Sequence, residues 1–317
     1  MTTPVPDASY IGVDISGATL GAALVDAAGR VLERREAALD ADSVSAQVSR
    51  LVAELRDAGG TTVSGLGVGV TGLVNPQTGR VLVSTDLPGI VRSDLRAELS
   101  QATGLDVLLE NDANAAAYGE YVAGAGRGSR HMFYVTIGTG VGGAIIVDGR
   151  LWRGDSGFAG EVGHITIQPD GAQCSCGNNG CLETVASGPN IVRRTRDRLL
   201  RDSTSSLSRL GLKRDFTAAD VAHAANEGDD FALMMLERTG RHIGTAIAAV
   251  INLLNIERIV LGGVIMEAGE HILSAVIREA GRRSFQPCFE ATQIVAATLG
   301  PDSVPTGAAV LARDAAQ

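Results

Sequence analysis

A cluster of cysteines constrains this chain more than any other feature of its sequence. Three of the four cysteines in 317 residues, Cys174, Cys176 and Cys181, lie close together, and His164 precedes them. One imidazole and three thiolates make a complete tetrahedral ligand set for structural zinc. The alternative is a glycine-rich loop of reduced thiols beside a core histidine. Such clustering in a cysteine-poor chain favours the metal.

Two carboxylates flank the cysteine cluster. Glu161 stands three residues before His164, and Glu183 stands two residues after Cys181. A loop folded around a metal would hold both carboxylates in fixed positions. Fixed carboxylates are good acceptors for the hydroxyl groups of a ligand.

Composition limits the class of protein. With 45% hydrophobic and 20% charged residues the chain can bury a large core, in one large or two moderate domains. A net charge of −9 argues against a nucleic-acid partner, because phosphate binding needs a basic face. The N-terminal residues lack the pattern of a signal peptide, and the apolar runs are too short to span a bilayer. We therefore expect a cytoplasmic protein without a membrane partner.

Strands alternate with helices in two similar halves, which is typical of an α/β fold. The predicted strands are Tyr10–Ile15, Leu20–Val25, Val31–Arg35, Gly65–Val70, Val107–Glu110, Met132–Gly138, Gly142–Val147, Ile259–Leu261 and Ile294–Ala297. The predicted helices are Ser43–Ala58, Ala113–Tyr121, Gly188–Arg201, Ala218–Asn226, Asp230–Leu254, Gly269–Gly281 and Thr306–Arg313. Arg201–Arg214, rich in serine and charge, is predicted to be a surface connection.

Acidic residues stand where predicted strands end. Asp14 lies near the end of the first strand and suits a phosphate or metal site, although a polar turn would explain it equally. Asn111 and Asp112 follow another strand and open a helix, a place where α/β folds present ligand-binding groups. Asp112 could instead be an N-cap, which is the commoner role for Asp there. If it is catalytic, it is suited to accept the proton of an attacking hydroxyl.

Two glycine-rich turns follow strands. Thr136–Gly143 would let backbone N–H groups and two threonine hydroxyls approach phosphate oxygens, although a tight hairpin uses the same residues. Gly262–Gly263 either receives a nucleotide or simply turns a strand into a helix.

The motifs GEVGH, from Gly160, and CSCGNNGCLE, from Cys174, resemble the signature of the ROK family (repressors, open reading frames and sugar kinases). The resemblance covers essentially the whole chain. It implies an α/β fold of two lobes, the actin-like ATPase (ribonuclease H-like) fold, with nucleotide and sugar in the interlobe cleft. We expect a small lobe of residues 1–115, against which a C-terminal helix of residues 300–317 packs. Residues 116–299 would form the large lobe that carries the zinc loop.

The resemblance also implies roles for residues. Asp112 would be the catalytic base of an ATP-dependent hexose kinase that phosphorylates the primary 6-hydroxyl, with Mg²⁺, ATP as co-substrate and structural Zn²⁺. The zinc ligands would be His164, Cys174, Cys176 and Cys181. The sugar contacts would be Asn111, Glu161, His164, Glu183 and Gly72. The nucleotide contacts would be Asp14, Gly17, Thr19, Thr136, Gly138, Thr139, Gly140, Gly142, Gly262 and Gly263.

The sequence departs from the family pattern in the first phosphate loop. Where active members read roughly Asp-x-Gly-Gly-Thr-Lys, this chain has Ser16, Ala18 and Thr19. A left-handed Ser16 would carry a strain of about 1 kcal/mol. The loss of a positive charge would weaken nucleotide binding, so a non-catalytic sugar-binding sensor stays open as an alternative.

The sugar loop also departs from the glucokinase-like pattern, because Asp86 and Ile90 replace the usual Asn and Trp. An amino sugar is therefore an alternative substrate, of the N-acetylglucosamine, N-acetylmannosamine, glucosamine or kanosamine type. Family repressors carry an N-terminal helix-turn-helix, which we do not expect here because the first strand starts at Tyr10. The resemblance suggests a homodimer.

Overall fold

The computed structural model of the protein describes residues 8–60, 62–75, 77–84, 87–200, 204–212 and 214–316. Asp86 and Arg201, named above, lie outside these ranges. The chain divides into two compact units. The first contains the residues up to Arg130, Ala144–Ala159 and the residues from Thr298; the second contains His131–Gly143 and Gly160–Ala297. The lobe boundaries predicted from the sequence stay a prediction.

The strands have two to eight residues. They are β1 (Ser9–Ile15), β2 (Thr19–Asp26), β3 (Val31–Ala38), β4 (Val63–Val70), β5 (Leu73–Val74), β6 (Val81–Val83), β7 (Val107–Asn111), β8 (Met132–Ile137), β9 (Val141–Val147), β10 (Arg150–Leu151), β11 (Arg258–Gly262) and β12 (Gln293–Ala296).

The α-helices range from single turns to 25 residues. They are α1 (Val44–Gly59), α2 (Pro88–Arg92), α3 (Leu95–Thr103), α4 (Asp112–Ala123), α5 (Glu183–Ala186), α6 (Gly188–Leu199), α7 (Ser206–Gly211), α8 (Ala218–Asn226), α9 (Asp230–Leu254), α10 (Glu270–Arg283), α11 (Gln286–Glu290) and α12 (Ser303–Ala315). No helix in the described ranges is both long and apolar enough to cross a bilayer.

The first unit is built on a sheet of strand order β3-β2-β1-β4-β7. The first three strands are antiparallel neighbours, whereas β4 and β7 run parallel to β1. Asp14 of β1 pairs with Gly69 of β4, and Val70 of β4 pairs with Asn111 of β7. The carboxyl ends of β1, β4 and β7 therefore meet at one edge of the sheet.

Different helices cover the two faces of this sheet. On one face, Val48 and Leu55 of α1 join a core cluster with Ile11 and Leu66. On the other face, α4 and α12 pack together, and α12 lies against β1 and β4. A Cβ added at Gly12 would lie 1.7 Å from the carbonyl oxygen of Pro305, so glycine allows α12 to touch the sheet backbone.

In the second unit β11 lies between β8 and β12, and the three strands are parallel. Gly262 at the end of β11 pairs with Thr136 near the end of β8. Helix α9 packs along α10 and against α8. The carboxyl ends of β8 and β11 thus bring the two glycine-rich turns of this unit side by side.

Most predicted elements are present, and caps explain the most accurate boundaries. Helix α8 begins as predicted at a Thr217 capping box, and α9 runs as predicted from the cap Asp229 to the left-handed Asn255. The prediction of a surface connection over Arg201–Arg214 was wrong in part, because this segment contains α7. Ser205 caps this helix, and Leu207 is buried. Helix α3 was not predicted.

Candidate active site

The four side chains of the predicted metal cluster come together in the second unit. One ligand atom from each lies within 4.8 Å of the others. His164 Nδ1 is 3.6 Å from Cys174 Sγ, and Cys176 Sγ is 3.7 Å from Cys181 Sγ. A tetrahedral zinc site has edges of about 3.8 Å between two thiolates and about 3.6 Å between thiolate and imidazole. The cluster therefore has dimensions that fit a zinc ion.

Backbone turns assemble this cluster. The backbone carbonyl of Cys174 accepts a hydrogen bond from the Gly177 N–H at 3.0 Å, and the backbone N–H of Cys174 donates one to the Asn178 carbonyl at 2.7 Å. Gly177 has a φ of 92°, a left-handed conformation that favours glycine. An antiparallel bridge between Thr166 and Cys181 returns the loop to its start. The turn thus brings the three sulfur atoms and the imidazole to one point.

Glu161, His164 and Glu183 lie together beside the metal cluster. His164 Nε2 is 3.8 Å from Glu161 Oε2, while its Nδ1 faces the cysteines. Burial raises the pKa of Glu161, the His164 imidazole partly opposes this, and the Glu183 carboxylate raises it further. Glu183 Oε2 accepts the Val141 N–H at 3.0 Å. The three predicted sugar contacts of this unit thus form one polar group.

The turn after β8 leaves room for a ligand at its backbone. Gly138 donates to the Gly140 carbonyl at 3.0 Å and accepts from the Gly188 N–H at 2.8 Å. Its φ is not positive, and no described heavy atom lies within 4 Å of a Cβ added there. Gly17, in the first predicted phosphate loop, likewise has only Thr19 N near such a Cβ, at 4.0 Å. Neither glycine is needed for backbone conformation, so both positions suit the close approach of a phosphate.

Packing alone accounts for the two glycines at the end of β11. A Cβ added at Gly262 would lie 2.3 Å from Tyr134 Oη, and one at Gly263 would lie 2.3 Å from the Ile137 carbonyl oxygen. Gly263 also has a φ of 90°. Of the other predicted nucleotide contacts of this unit, Thr136 lies in β8 and Gly142 in β9, and Thr139 and Gly140 lie in the turn between these strands.

In the first unit, two aspartates lie at the carboxyl edge of the sheet. Asp14 stands near the end of β1, and Asp112 follows β7 directly. Burial raises the pKa of Asp14 to about 6, and contacts with Ser16 lower it in part. Burial raises the pKa of Asp112 to about 7, with a further increase from the charge of Asp14. Two carboxyl groups with pKa values of about 6 and about 7, at one edge of the sheet, are suited to acid–base chemistry or cation binding.

Asn111, rather than Asp112, is the N-cap of α4. Asn111 Oδ1 accepts the Asn114 N–H at 3.0 Å. Its Nδ2 donates to Asp112 Oδ1 at 3.0 Å and to the Gly72 carbonyl at 3.0 Å. Asp112 Oδ1 also accepts the Ala113 N–H at 2.9 Å. Asp112 is therefore free of the capping role, and the Asn111 amide orients its carboxylate.

An ion pair between the buried Glu110 and the partly exposed Arg153 supports this strand end, and the sequence analysis missed it. Glu110 Oε2 accepts hydrogen bonds from Arg153 Nε at 2.9 Å and Nη2 at 2.5 Å. Glu110 Oε1 accepts from the Asn111 N–H and from Asn114 Nδ2, both at 2.9 Å. The pair spans 43 residues of sequence, so no local pattern could have revealed it. It holds the backbone immediately before Asp112.

The first phosphate loop does not carry the strain considered above. Among described residues other than glycine, φ is positive at Asp148 and Asn255 but not at Ser16. Thr19 is exposed at the start of β2. Asp14 Oδ1 is buried without a hydrogen-bond partner among the described residues. That oxygen is suited to interact with a bound cation or its water.

Ile90 has a structural role in the core. It is 4% exposed in α2 and belongs to the core cluster of the first unit. Its difference from the glucokinase-like pattern therefore carries little weight as a sign of an amino-sugar substrate.

Comparisons with known proteins agree with these features. The ROK family model matches residues 10–315. The glucokinase of Halalkalibacterium halodurans is 35% identical over 306 residues, with 94% of this chain and 92% of the relative covered. The glucokinase of Thermotoga maritima is 35% identical over 314 residues, with 98% and 99% covered.

A solved structure is similar over nearly the full length. The crystal structure of a ROK family glucokinase from Streptomyces griseus, in complex with glucose and AMPPNP, has a TM-score of 0.85 at 33% identity. The match covers 96% of this chain and 99% of that one. The predicted α/β fold of the actin-like ATPase (ribonuclease H-like) class is thereby confirmed. The chain belongs to the ROK family of repressors and sugar kinases.

Proposed function

We propose that the chain is an ATP-dependent hexose kinase of the glucokinase type. The observation that carries this proposal is the carboxylate of Asp112, which lies beside Asp14 with a pKa raised to about 7. A base with a pKa near the operating pH is effective in taking a proton from a hydroxyl. Its place at the carboxyl end of a parallel strand is where α/β folds present such groups.

The reaction follows from this base. Asp112 takes the proton of the primary hydroxyl as the oxygen attacks the γ-phosphorus of ATP. The bond between the γ-phosphorus and the β,γ-bridging oxygen breaks, which gives a hexose 6-phosphate and ADP. Asn111 keeps the carboxylate directed at the substrate through its amide. Orientation of this kind accounts for a large part of phosphoryl transfer catalysis.

We further propose which residues of each unit contact the sugar. Glu161, His164 and Glu183 offer two carboxylates and an imidazole, which can accept and donate hydrogen bonds to a diol. In the first unit Asn111 and the Gly72 backbone would contribute. Both Asn111 amide hydrogens are already donated, so its contact would use the remaining lone pair of Oδ1.

For the nucleotide we propose two phosphate loops and a magnesium ion. Mg²⁺, when bound, neutralises charge on the phosphates, and the unpaired Asp14 Oδ1 fits the cation or one of its waters. Gly17 and Thr19 would meet the phosphates from the first unit. From the second unit, Thr136 and the Gly138–Gly143 loop would meet phosphates, and Gly262–Gly263 would lie near the nucleoside.

The zinc is proposed as a structural ion. His164, Cys174, Cys176 and Cys181 would hold it, and a closed four-ligand site stabilises a fold without taking part in chemistry. Because His164 also contacts Glu161, the ion would set the orientation of the sugar-binding group. We also propose a homodimer, which sedimentation velocity would test.

A sugar panel tests the proposal. ADP release should be measured with glucose, mannose, glucosamine, N-acetylglucosamine, N-acetylmannosamine and 3-amino-3-deoxyglucose, and the position of the new phosphate determined by NMR. We expect glucose to give the highest kcat/KM and the 6-phosphate as product. Highest turnover with an amino sugar would overturn the glucokinase assignment. Calorimetric sugar binding without turnover of any sugar would identify a sensor instead.

A further inference from the structure

The second unit contains a pocket of about 610 Å³ whose walls are unusually basic. Helices α6, α9 and α10 supply most of its lining, and residues of the zinc loop close one side. None of the sugar, nucleotide or zinc residues proposed above lines it. Seven arginines do: Arg193, Arg194, Arg198, Arg238, Arg241, Arg282 and Arg283.

Two carboxylates offset this charge in part. Glu279, buried at the pocket wall, pairs with Arg282 and Arg283, and Asp197 lies 3.7 Å from Arg193. Within the described part of the chain, the other four arginines pair with no carboxylate. The protein as a whole has a net charge of −9, and seven of its 27 basic residues gather here. The excess positive charge is therefore local.

Helix packing directs these side chains into the pocket. Arg238, Arg241 and Thr245 of α9 recur at helical spacing and share one face. The adjoining face carries Gly240 and Gly244. A Cβ added at Gly240 would lie 2.6 Å from Ala275 Cβ, and one added at Gly244 would lie 2.6 Å from the Val276 carbonyl oxygen. This close contact with α10 fixes the rotation of α9. This packing places the backbone of Arg238 and Arg241 beside the pocket, where their side chains are exposed.

Arg194 is fixed at the pocket wall. Its Nη1 donates to the Val185 carbonyl at 2.6 Å and to Thr239 Oγ1 at 3.3 Å. Burial and neighbouring guanidiniums lower its pKa to about 10, which leaves it charged at pH 7. Burial and Arg194, Arg238 and Arg241 lower the pKa of His242 to about 4. The arginine charges are therefore a cause of this lowered pKa, second to burial.

We propose that this pocket binds a small anion carrying two or more phosphate groups. Each guanidinium group can donate two parallel hydrogen bonds to one phosphate, and several guanidinium groups line this pocket. Binding would relieve the repulsion among the unpaired arginines. A single phosphate would neutralise too few of the guanidinium charges, so their number favours a ligand with several phosphate groups. This inference does not depend on the proposed kinase activity, because it rests on different residues.

Calorimetric titration with inorganic tripolyphosphate, in metal-free buffer at low salt, tests the proposal. We expect one site per chain with an affinity at least tenfold higher than for orthophosphate. The variant Arg238→Gln/Arg241→Gln removes two exposed, unpaired charges and should weaken tripolyphosphate at least tenfold without loss of thermal stability. Arg50→Gln/Arg209→Gln removes two exposed charges outside the pocket and should bind like wild type.

Tripolyphosphate could also enter the proposed nucleotide loop, and Gly138→Val separates the two sites. The added side chain would enter open space at the loop and should leave pocket binding intact. Loss of binding in Gly138→Val, with binding kept in the arginine variant, would overturn the proposal. Absence of tripolyphosphate binding to the wild type would also overturn the proposal. The same holds if the wild type is a dimer, the arginine variant is a monomer, and neither protein has a tripolyphosphate site. The last result would identify the pocket as an interface between copies of the chain.

Discussion

Asn111 Nδ2 donates a hydrogen bond to Asp112 Oδ1 at 3.0 Å, while Oδ1 of the same amide caps helix α4 through the Asn114 N–H. One side chain thus fixes both the start of the helix and the direction of the candidate base. This relationship changes the role expected for Asn111, because its amide is largely occupied within the protein.

Substitution of Asn111 should separate positioning from sugar binding. In Asn111→Asp the cap is kept, but the donor to Asp112 is replaced by a like charge, so kcat should fall about ten- to a hundredfold. The KM for the sugar should change by less than about threefold. Steady-state kinetics measure both, and Asn226→Asp, at an exposed amide outside the proposed sites, serves as a control. A large rise in KM with unchanged kcat would instead show that Asn111 acts mainly through the sugar and does little to position Asp112.

The rate should depend on pH through Asp112. Because its pKa is raised to about 7, the carboxylate needed as base is lost as pH falls below that value. We expect kcat/KM to reach a plateau above pH 8 and to fall about tenfold per pH unit below the pKa. Asp14→Asn removes a neighbouring negative charge and should move this limb to lower pH. A flat profile down to pH 5 would contradict the assignment.

Metal content tests the cysteine cluster. Protein purified without chelator should contain about one zinc per chain, and Cys176→Ser should lose most of it, because a thiolate ligand is removed. The sugar KM should rise, since His164 and Glu161 would lose their anchor. Cys288→Ser, at the cysteine outside the cluster, should keep both metal and activity. Full metal content in Cys176→Ser, measured by inductively coupled plasma mass spectrometry, would argue against this ligand set.

The Glu110–Arg153 pair should matter for stability. Arg153→Met leaves a buried carboxylate without its partner and should reduce the free energy of unfolding by about 3–5 kcal/mol. Glu110→Gln/Arg153→Met removes both charges and should recover a large part of that loss. Urea denaturation measures both variants. Equal stability of the single variant and wild type would show that the pair is solvated and contributes little.

Local signals explain what the sequence could predict. The four candidate metal ligands lie within one stretch of the chain, so their spacing indicated a common site. For Asp112 the position after a strand left an N-cap and a catalytic role open, and the resemblance to the ROK family favoured catalysis. Helix α3 could have been found, because Asp94 caps it and the left-handed Gly104 ends it. Its apolar positions, Leu95 and Leu99, are too few to give a clear helical period.

Contacts distant in sequence explain what was missed. The partnership of Arg153 with Glu110 depends on the return of the chain to the first unit, which no local pattern predicts. The choice of Asn111 over Asp112 as cap depends on where β7 ends, and strand ends are poorly defined by sequence. The basic pocket likewise needs three helices to be placed before its arginines can be seen together.

The most direct test of the central claim is the kcat of Asp112→Asn with glucose and Mg-ATP, measured by ADP release. Without the base, kcat should fall about a hundred- to ten-thousandfold, while the Kd for glucose from calorimetry stays within about threefold of wild type. Asp106→Asn, at an exposed carboxylate, should behave as wild type. Turnover by Asp112→Asn within tenfold of wild type would contradict the account.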